Sequence, residues 1–257
     1  MSNHHLTPAP AAVSLDAAPD AALDAASDAA PARTVKRPGW PEIAVAAVTY
    51  GVLVAVGIAV ILSMPDEQAV ARGIVSYAVS ALAGLGAFGI AVIIRVRDLG
   101  AFGLRRVAGK WLLLGAGLGV GAFLLNVVVG IAYVYVSGDT SNPQGDYKAA
   151  AGGGALSFLL TILFGAIATP IGEELAFRGV LANALGRYGP WVGVIASSAI
   201  FALVHGVNII MPIAFVVGAT SALLLRKTGS VWPGVCVHAV NNGISVLLPA
   251  LAALSTT

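Results

Sequence analysis

The stretch Trp111-Leu-Leu-Leu-Gly-Ala-Gly-Leu-Gly-Val-Gly-Ala-Phe-Leu-Leu-Asn-Val-Val-Val-Gly-Ile-Ala-Tyr-Val-Tyr-Val136 contains no charged side chain. Crossing the hydrocarbon core of a bilayer takes about 20 apolar residues of helix. Comparable runs fall at roughly 43–64, 73–94, 155–172 or somewhat later, 190–207, 208–225 and 231–254. Backbone in lipid must satisfy its own hydrogen bonds, which leaves only helices or closed barrels. These runs are too long and unbroken for barrel strands of about ten residues. The sequence therefore predicts an all-α fold, a polytopic transmembrane helix bundle of about seven spans. Composition agrees: 58% of the 257 residues are hydrophobic and 10% charged, against roughly 25% charged in a soluble domain. A nucleic-acid-binding role finds no support, and the single cysteine, Cys236, excludes an intramolecular disulfide.

Basic residues set the expected orientation. Arg33, Lys36 and Arg37 precede the first span, and Arg95, Arg97, Arg105, Arg106 and Lys110 fill the loop after the second. Arg187 follows the fourth span, and Arg226 and Lys227 follow the sixth. The alternate loops hold Asp66, Glu67 and Arg72, then Asp139, Asp146 and Lys148. Every second loop is basic, which puts the N-terminus in the cytoplasm and the C-terminus outside, in a multi-pass protein of the cell membrane. Three regions follow. Residues 1–40 read as a disordered cytoplasmic tail rich in Ala, Asp and Pro, with Asp16, Asp20, Asp24 and Asp28 recurring every fourth residue. Residues 41–149 carry three N-terminal transmembrane helices, and residues 150–254 form a second transmembrane core.

Glu173 and Glu174 are the only acidic residues after Asp146, and they lie in the stretch Thr169-Pro-Ile-Gly-Glu-Glu-Leu-Ala-Phe-Arg-Gly-Val180. Of four histidines, His4 and His5 lie in the tail, while His205 and His238 each fall in their own hydrophobic segment. Ionisable groups inside a bilayer are costly and mark function. On a helix Glu174 and Arg178 are four apart and share a face, acid before base. Glu173 is rotated by about 100° and lacks that partner. Glu174 thus reads as the paired, orienting carboxylate and Glu173 as the proton acceptor. Phe201 and His205 are four apart, so the ring can pack beneath the imidazole. His238 and Asn242 are also four apart and supply two donors suited to an oxyanion, with Asn241 as an alternative. Taken singly, each of these residues reads as packing or as a structural ion pair; their conjunction reads as an intramembrane active site. One difficulty is depth. A fourth span ending near Gly172 would leave the glutamates at the cytoplasmic rim, while His205 lies about 21 Å along the next helix from Trp191 at 1.5 Å per residue. A shared site requires the fourth helix to start later and run through Arg187, with Pro170 as a kink.

Three motifs carry a resemblance. Glu173-Glu174-Leu175-Ala176-Phe177-Arg178 resembles EExxxR, Phe201 to His205 resembles FxxxH, and His238 to Asn242 resembles HxxxN. Their order, on three hydrophobic segments, is that of the CAAX-protease and bacteriocin-processing enzyme (CPBP, or Abi) family of intramembrane proteases. The resemblance covers roughly residues 150–250; the tail and the first three spans carry no signature of it. It implies an intramembrane endopeptidase in which Glu173 and His205 activate a water, His238 and Asn242 hold the oxyanion, and Glu174 and Arg178 complete the site. The implied partners are the lipid bilayer and, as substrate, a peptide precursor, a bacteriocin or the cytoplasmic end of a membrane protein. Family members are often labelled metalloproteases, and Glu173, His205 and His238 are the candidate ligands for a Zn2+ ion. The HExxH spacing is absent, however, and a metal-free Glu/His mechanism fits the same donors. The competing reading is a non-catalytic transporter or protease-like scaffold with a buried ion pair. Cys236, two residues from His238, points to another face of its helix and reads as packing.

Overall fold

The computed structural model describes residues 37–138 and 143–254, all within one compact unit, Lys36–Thr257. Residues 1–36, which make up most of the expected tail, and Asp139 lie outside the described residues. Among the described residues there are eight helices and no strands: α1 Trp40–Leu62, α2 Ala69–Ile94, α3 Gly109–Ser137, α4 Gly145–Gly152, α5 Ala155–Tyr188, α6 Pro190–Val204, α7 Ile210–Thr228 and α8 Trp232–Leu254. Six of them (α1, α2, α3, α5, α7 and α8) are long and apolar enough to cross a membrane. The seventh expected span, α6, has 15 residues, or about 22 Å of helix, which falls short of the roughly 30 Å core.

α6 stops early for a local reason. Gly206 takes a positive φ of 84°, a backbone conformation that only glycine enters freely. The Asn208 side chain then accepts a hydrogen bond from the Ile210 amide at 2.8 Å and starts α7. His205 is left as the last residue before the turn, half-buried at the tip of α6.

α5 resolves the depth difficulty by length. It begins where the hydrophobic run begins and continues for 34 residues, to Tyr188. Two π-helical segments, Ile162–Ala168 and Leu175–Ala182, flank the short α-helical stretch Thr169–Glu174 that holds Pro170 and both glutamates. Proline lacks an amide proton and crowds the carbonyl four residues back, and wider turns beside it absorb that crowding. π segments recur at functional sites.

The bundle is tight where side chains are small. α2 packs on α1, α4 and α5, and α8 packs on α3, α4 and α5. Along α2 the buried stripe is Ala83, Gly84, Ala87 and Ala91, the small-residue surface by which membrane helices approach closely. A Cβ at Gly84 would come within 2.6 Å of the Gly172 carbonyl oxygen on α5.

Charge is segregated between the two ends. At one end the buried Glu42 carboxylate accepts from Arg95 at 2.8 and 2.7 Å, the Arg187 guanidinium sits over Trp40 and Tyr188, and Arg226 sits over Trp191. The Ser230 hydroxyl joins the Arg105 carbonyl there at 2.8 Å. At the other end Arg72 pairs with Asp66 and Asp146. Gly84→Ala should therefore cost about 1–3 kcal/mol, the usual penalty for overpacking, because backbone rather than a yielding side chain faces the new methyl. Thermal unfolding in detergent, beside Gly89→Ala, whose Cβ meets nothing within 4 Å, measures the difference.

Candidate active site

The structure brings the three motif segments together. Glu173, Glu174 and Arg178 come from the middle of α5, Phe201 and His205 from the end of α6, and His238, Asn241 and Asn242 from α8. Glu174 and Arg178 are both 0% exposed, and Glu174 Oε1 lies 3.4 Å from Arg178 Nη1, the pairing that the four-residue spacing predicts. The guanidinium lies against the face of Phe201, 4.4 Å from the ring centre, where the ring quadrupole attracts a cation.

His238 stands between the carboxylates. Its Nε2 is 3.7 Å from Glu173 Oε2, and its Nδ1 is 3.5 Å from Glu174 Oε1. The sequence pairs Glu173 with His205 and assigns His238 to the donors; in the structure the imidazole against both carboxylates is that of His238. The cluster forms because its neighbours are small. A Cβ at Gly234 on α8 would meet Glu174 Oε2 at 2.8 Å, and one at Gly218 on α7 would meet Arg178 Nη2 at 2.8 Å.

Phe201 organises the rest. Its ring centre lies 4.6 Å from that of His205, 5.7 Å from His238 and 5.0 Å from Phe177, each edge to face. His205 Nδ1 is 2.7 Å from the Phe201 carbonyl oxygen. A carbonyl can only accept, so Nδ1 carries the proton, and Nε2 is the nitrogen left to accept one.

Glu173, His205, Asn241 and Asn242 line one cavity of about 330 Å³. Asn242 donates to the Gly165 carbonyl at 3.2 Å, within the first π segment of α5, and accepts from Asn241 Nδ2 at 3.2 Å. The sequence did not single out the opposite wall: Tyr50 of α1, Tyr77 and Ser80 of α2, Asn126 of α3 and Tyr147 of α4. Their only signal is that each is polar within or beside an apolar run, and Asn126 is the one amide side chain of α3. Burial holds the Tyr147 phenol above its ordinary pKa, so at neutral pH it is a neutral hydroxyl. Cys236 packs against α3, where a Cβ at Gly115 would touch it.

Among the described residues, no group of three or more His, Cys, Asp or Glu side chains is placed to hold a metal ion. His205 commits Nδ1 to a backbone carbonyl, and both nitrogens of His238 face carboxylates. The backbone bond at Nδ1 leaves His205 Nε2 free, an arrangement that serves a water-polarising base and a metal ligand alike.

Residues 155–244, about a third of the chain, match the Rce1-like family, described as Type II CAAX prenyl endopeptidase. The matched segment carries all three motifs, and it is the family that they resemble. No curated protein and no solved structure matches the chain. With its six apolar helices, the chain is a multi-pass membrane protein.

Breaking the buried pair should be costly. Glu174→Gln leaves Arg178 without its carboxylate in an apolar surround, which typically costs about 3–5 kcal/mol. Glu174→Gln/Arg178→Met, which removes both charges, should recover much of that loss. Denaturant unfolding of the two purified variants beside wild type compares them; equal stability of the single and double variants would mean that the pair does not hold the helices together.

Proposed function

We propose that this protein is an intramembrane endopeptidase of the cell membrane that hydrolyses a peptide bond with a water activated by Glu173 and His205. The observation that carries the reading is a cavity within apolar helices that presents a carboxylate, an imidazole with a free lone pair and two amides, backed by a second carboxylate and a histidine. The match of residues 155–244 to a family of endopeptidases supports the same chemistry.

Each group has a role that follows from its position. A water in the cavity between Glu173 and His205 Nε2 is polarised by two acceptors, and Glu173 takes its proton as the oxygen attacks the scissile carbonyl. The developing oxyanion is met by the Asn242 amide, with Asn241 beside it. Collapse of the intermediate breaks the C–N bond, and the proton held by Glu173 passes to the departing amine. Water thus ends as hydroxyl on the acyl product and hydrogen on the amine. His238, facing both carboxylates, is the positioning residue for Glu173, while Glu174 and Arg178 hold His238 in turn. Low dielectric strengthens each of these interactions.

Glu173→Gln should abolish cleavage of a peptide library in detergent while leaving folding intact, because it removes the base and keeps the shape. Asn242→Ala should lower turnover by about 10²–10³ with little change in KM, as expected for a donor used only in the transition state. His238→Ala should lower turnover as well, and added zinc should not restore it. Equal cleavage by wild type and Glu173→Gln would overturn the mechanism, and restoration of His238→Ala by zinc would return the site to a metal centre.

A further inference from the structure

Among the described residues, the cavity reaches exposed side chains at the end of the bundle where α4 lies. From Glu173 its walls rise past Tyr77 and Asn126 to Pro143, Gln144, Tyr147 and Lys148 in and around α4. Pro143 and Lys148 are exposed at that rim. In the other direction α5 continues from Glu173 through Phe177 and Val180 to Arg187, and those turns are buried in the main core. Phe88, Phe102, Phe201, Leu225 and Val231 complete that core. A fully buried Arg178 and a layer of aromatic rings therefore separate the carboxylates from the end where Arg37, Arg95, Arg187 and Arg226 gather.

The two ends differ in charge, and membrane proteins keep Lys- and Arg-rich short loops in the cytoplasm. The basic end holds the segment before α1, the α2–α3 connection, the α5–α6 turn and the α7–α8 turn, where Arg37, Arg95, Arg97, Arg105, Arg106, Lys110, Arg187, Arg226 and Lys227 are found. The rim end holds Arg72 and Lys148 against Asp66, Glu67 and Asp146, and Arg72 is tied to two of those acids.

We infer that the site is reached from the non-cytoplasmic side of the membrane, through the mouth beside α4, and that its substrates are extended peptide segments on that side: an exported peptide or the outer juxtamembrane stretch of a membrane protein. A cytoplasmic tail meets the closed, aromatic-packed end instead. The wall suits an extended peptide, because Tyr50, Ser80 and Asn126 offer hydroxyls and an amide to backbone groups that find no other partner within apolar helices. The substrate class rests on the endopeptidase reading; the side of access does not.

Single cysteines placed in a Cys236→Ala background test the access directly. Lys148→Cys marks the rim, Ser80→Cys the cavity wall and Arg106→Cys the basic end. Each is first shown to react in detergent with a membrane-impermeant maleimide, and intact cells are then treated with the same reagent. Lys148→Cys and Ser80→Cys should label in intact cells, and Arg106→Cys only after permeabilisation. Labelling of Arg106→Cys with protection of Lys148→Cys would reverse the orientation. Protection of Ser80→Cys while Lys148→Cys reacts would show that the mouth is not the route. Sealed proteoliposomes of wild type, sorted by orientation, are then given a peptide library on one side at a time. Cleavage should occur only with the library on the rim side, and cleavage only from the basic side overturns the inference. Absence of cleavage even in detergent counts against the endopeptidase reading alone and leaves the labelling result standing.

Discussion

A guanidinium with no exposed surface, Arg178, is the constraint from which the C-terminal half of this protein is built. A lone charge in a low-dielectric interior is prohibitively costly, and it persists only with a partner and good geometry. Here the partners come from three helices: Glu174 from α5, the Phe201 ring from α6 and, through Glu174, His238 from α8. α7 contributes an absence of bulk, since any side chain at Gly218 would displace the guanidinium. Buried ion pairs are weak evidence for net stability when weighed against well-packed apolar residues. What this one does is fix depth and rotation. Sliding α8 by one turn, about 5.4 Å, would carry His238 away from both carboxylates and leave Glu174 and Arg178 with only each other on α5.

The same constraint divides the two glutamates, which are adjacent in sequence but unlike in surroundings. Glu174 faces inward to Arg178 and His238, and Gly234 backs it; Glu173 faces the cavity and meets the other nitrogen of His238. Adjacent helical residues project about 100° apart, so a pair of neighbouring carboxylates is a compact way to serve a closed cluster with one and an open cavity with the other. π segments on either side let α5 aim this stretch without ending at Pro170.

What could be read from the sequence was what is local. The apolar runs gave the helices, and the four-residue spacings of Glu174 with Arg178 and of Phe201 with His205 gave contacts that the structure contains. Contacts between helices were harder. That His238 answers both glutamates depends on the relative depth of α5 and α8, and hydropathy does not report depth. His205 reaches the site because α6 is short and stops at Gly206, whereas hydrophobicity alone extends that run to residue 207. The cavity wall from α1 to α4 was not legible at all. A single Tyr50 or Asn126 in an apolar run reads as packing, and the eight residues of α4 carry no strong period, yet these elements close the site that the C-terminal motifs open.

The closure by the N-terminal helices also explains how one site can be both dry and wet. Arg178 and Glu174 need exclusion of water for their mutual attraction to be strong, and the proposed hydrolysis needs at least one water at Glu173. A cavity wetted from both ends would weaken the pair, and one closed at both ends would starve the reaction. The aromatic core around Phe201 packs one side, while the hydroxyls and amides of α1 to α4 line the cavity on the other. Phe201 lies on the boundary: its ring covers the guanidinium, its edge contacts orient both histidines, and its carbonyl sets the tautomer that turns the His205 lone pair towards the cavity. In the proposed mechanism, the ring that keeps the charges dry thus also orients the imidazole that polarises the water. A substitution at Phe201 would disturb both functions at once, which is why a residue with no proton to give or take belongs to the chemistry of the site.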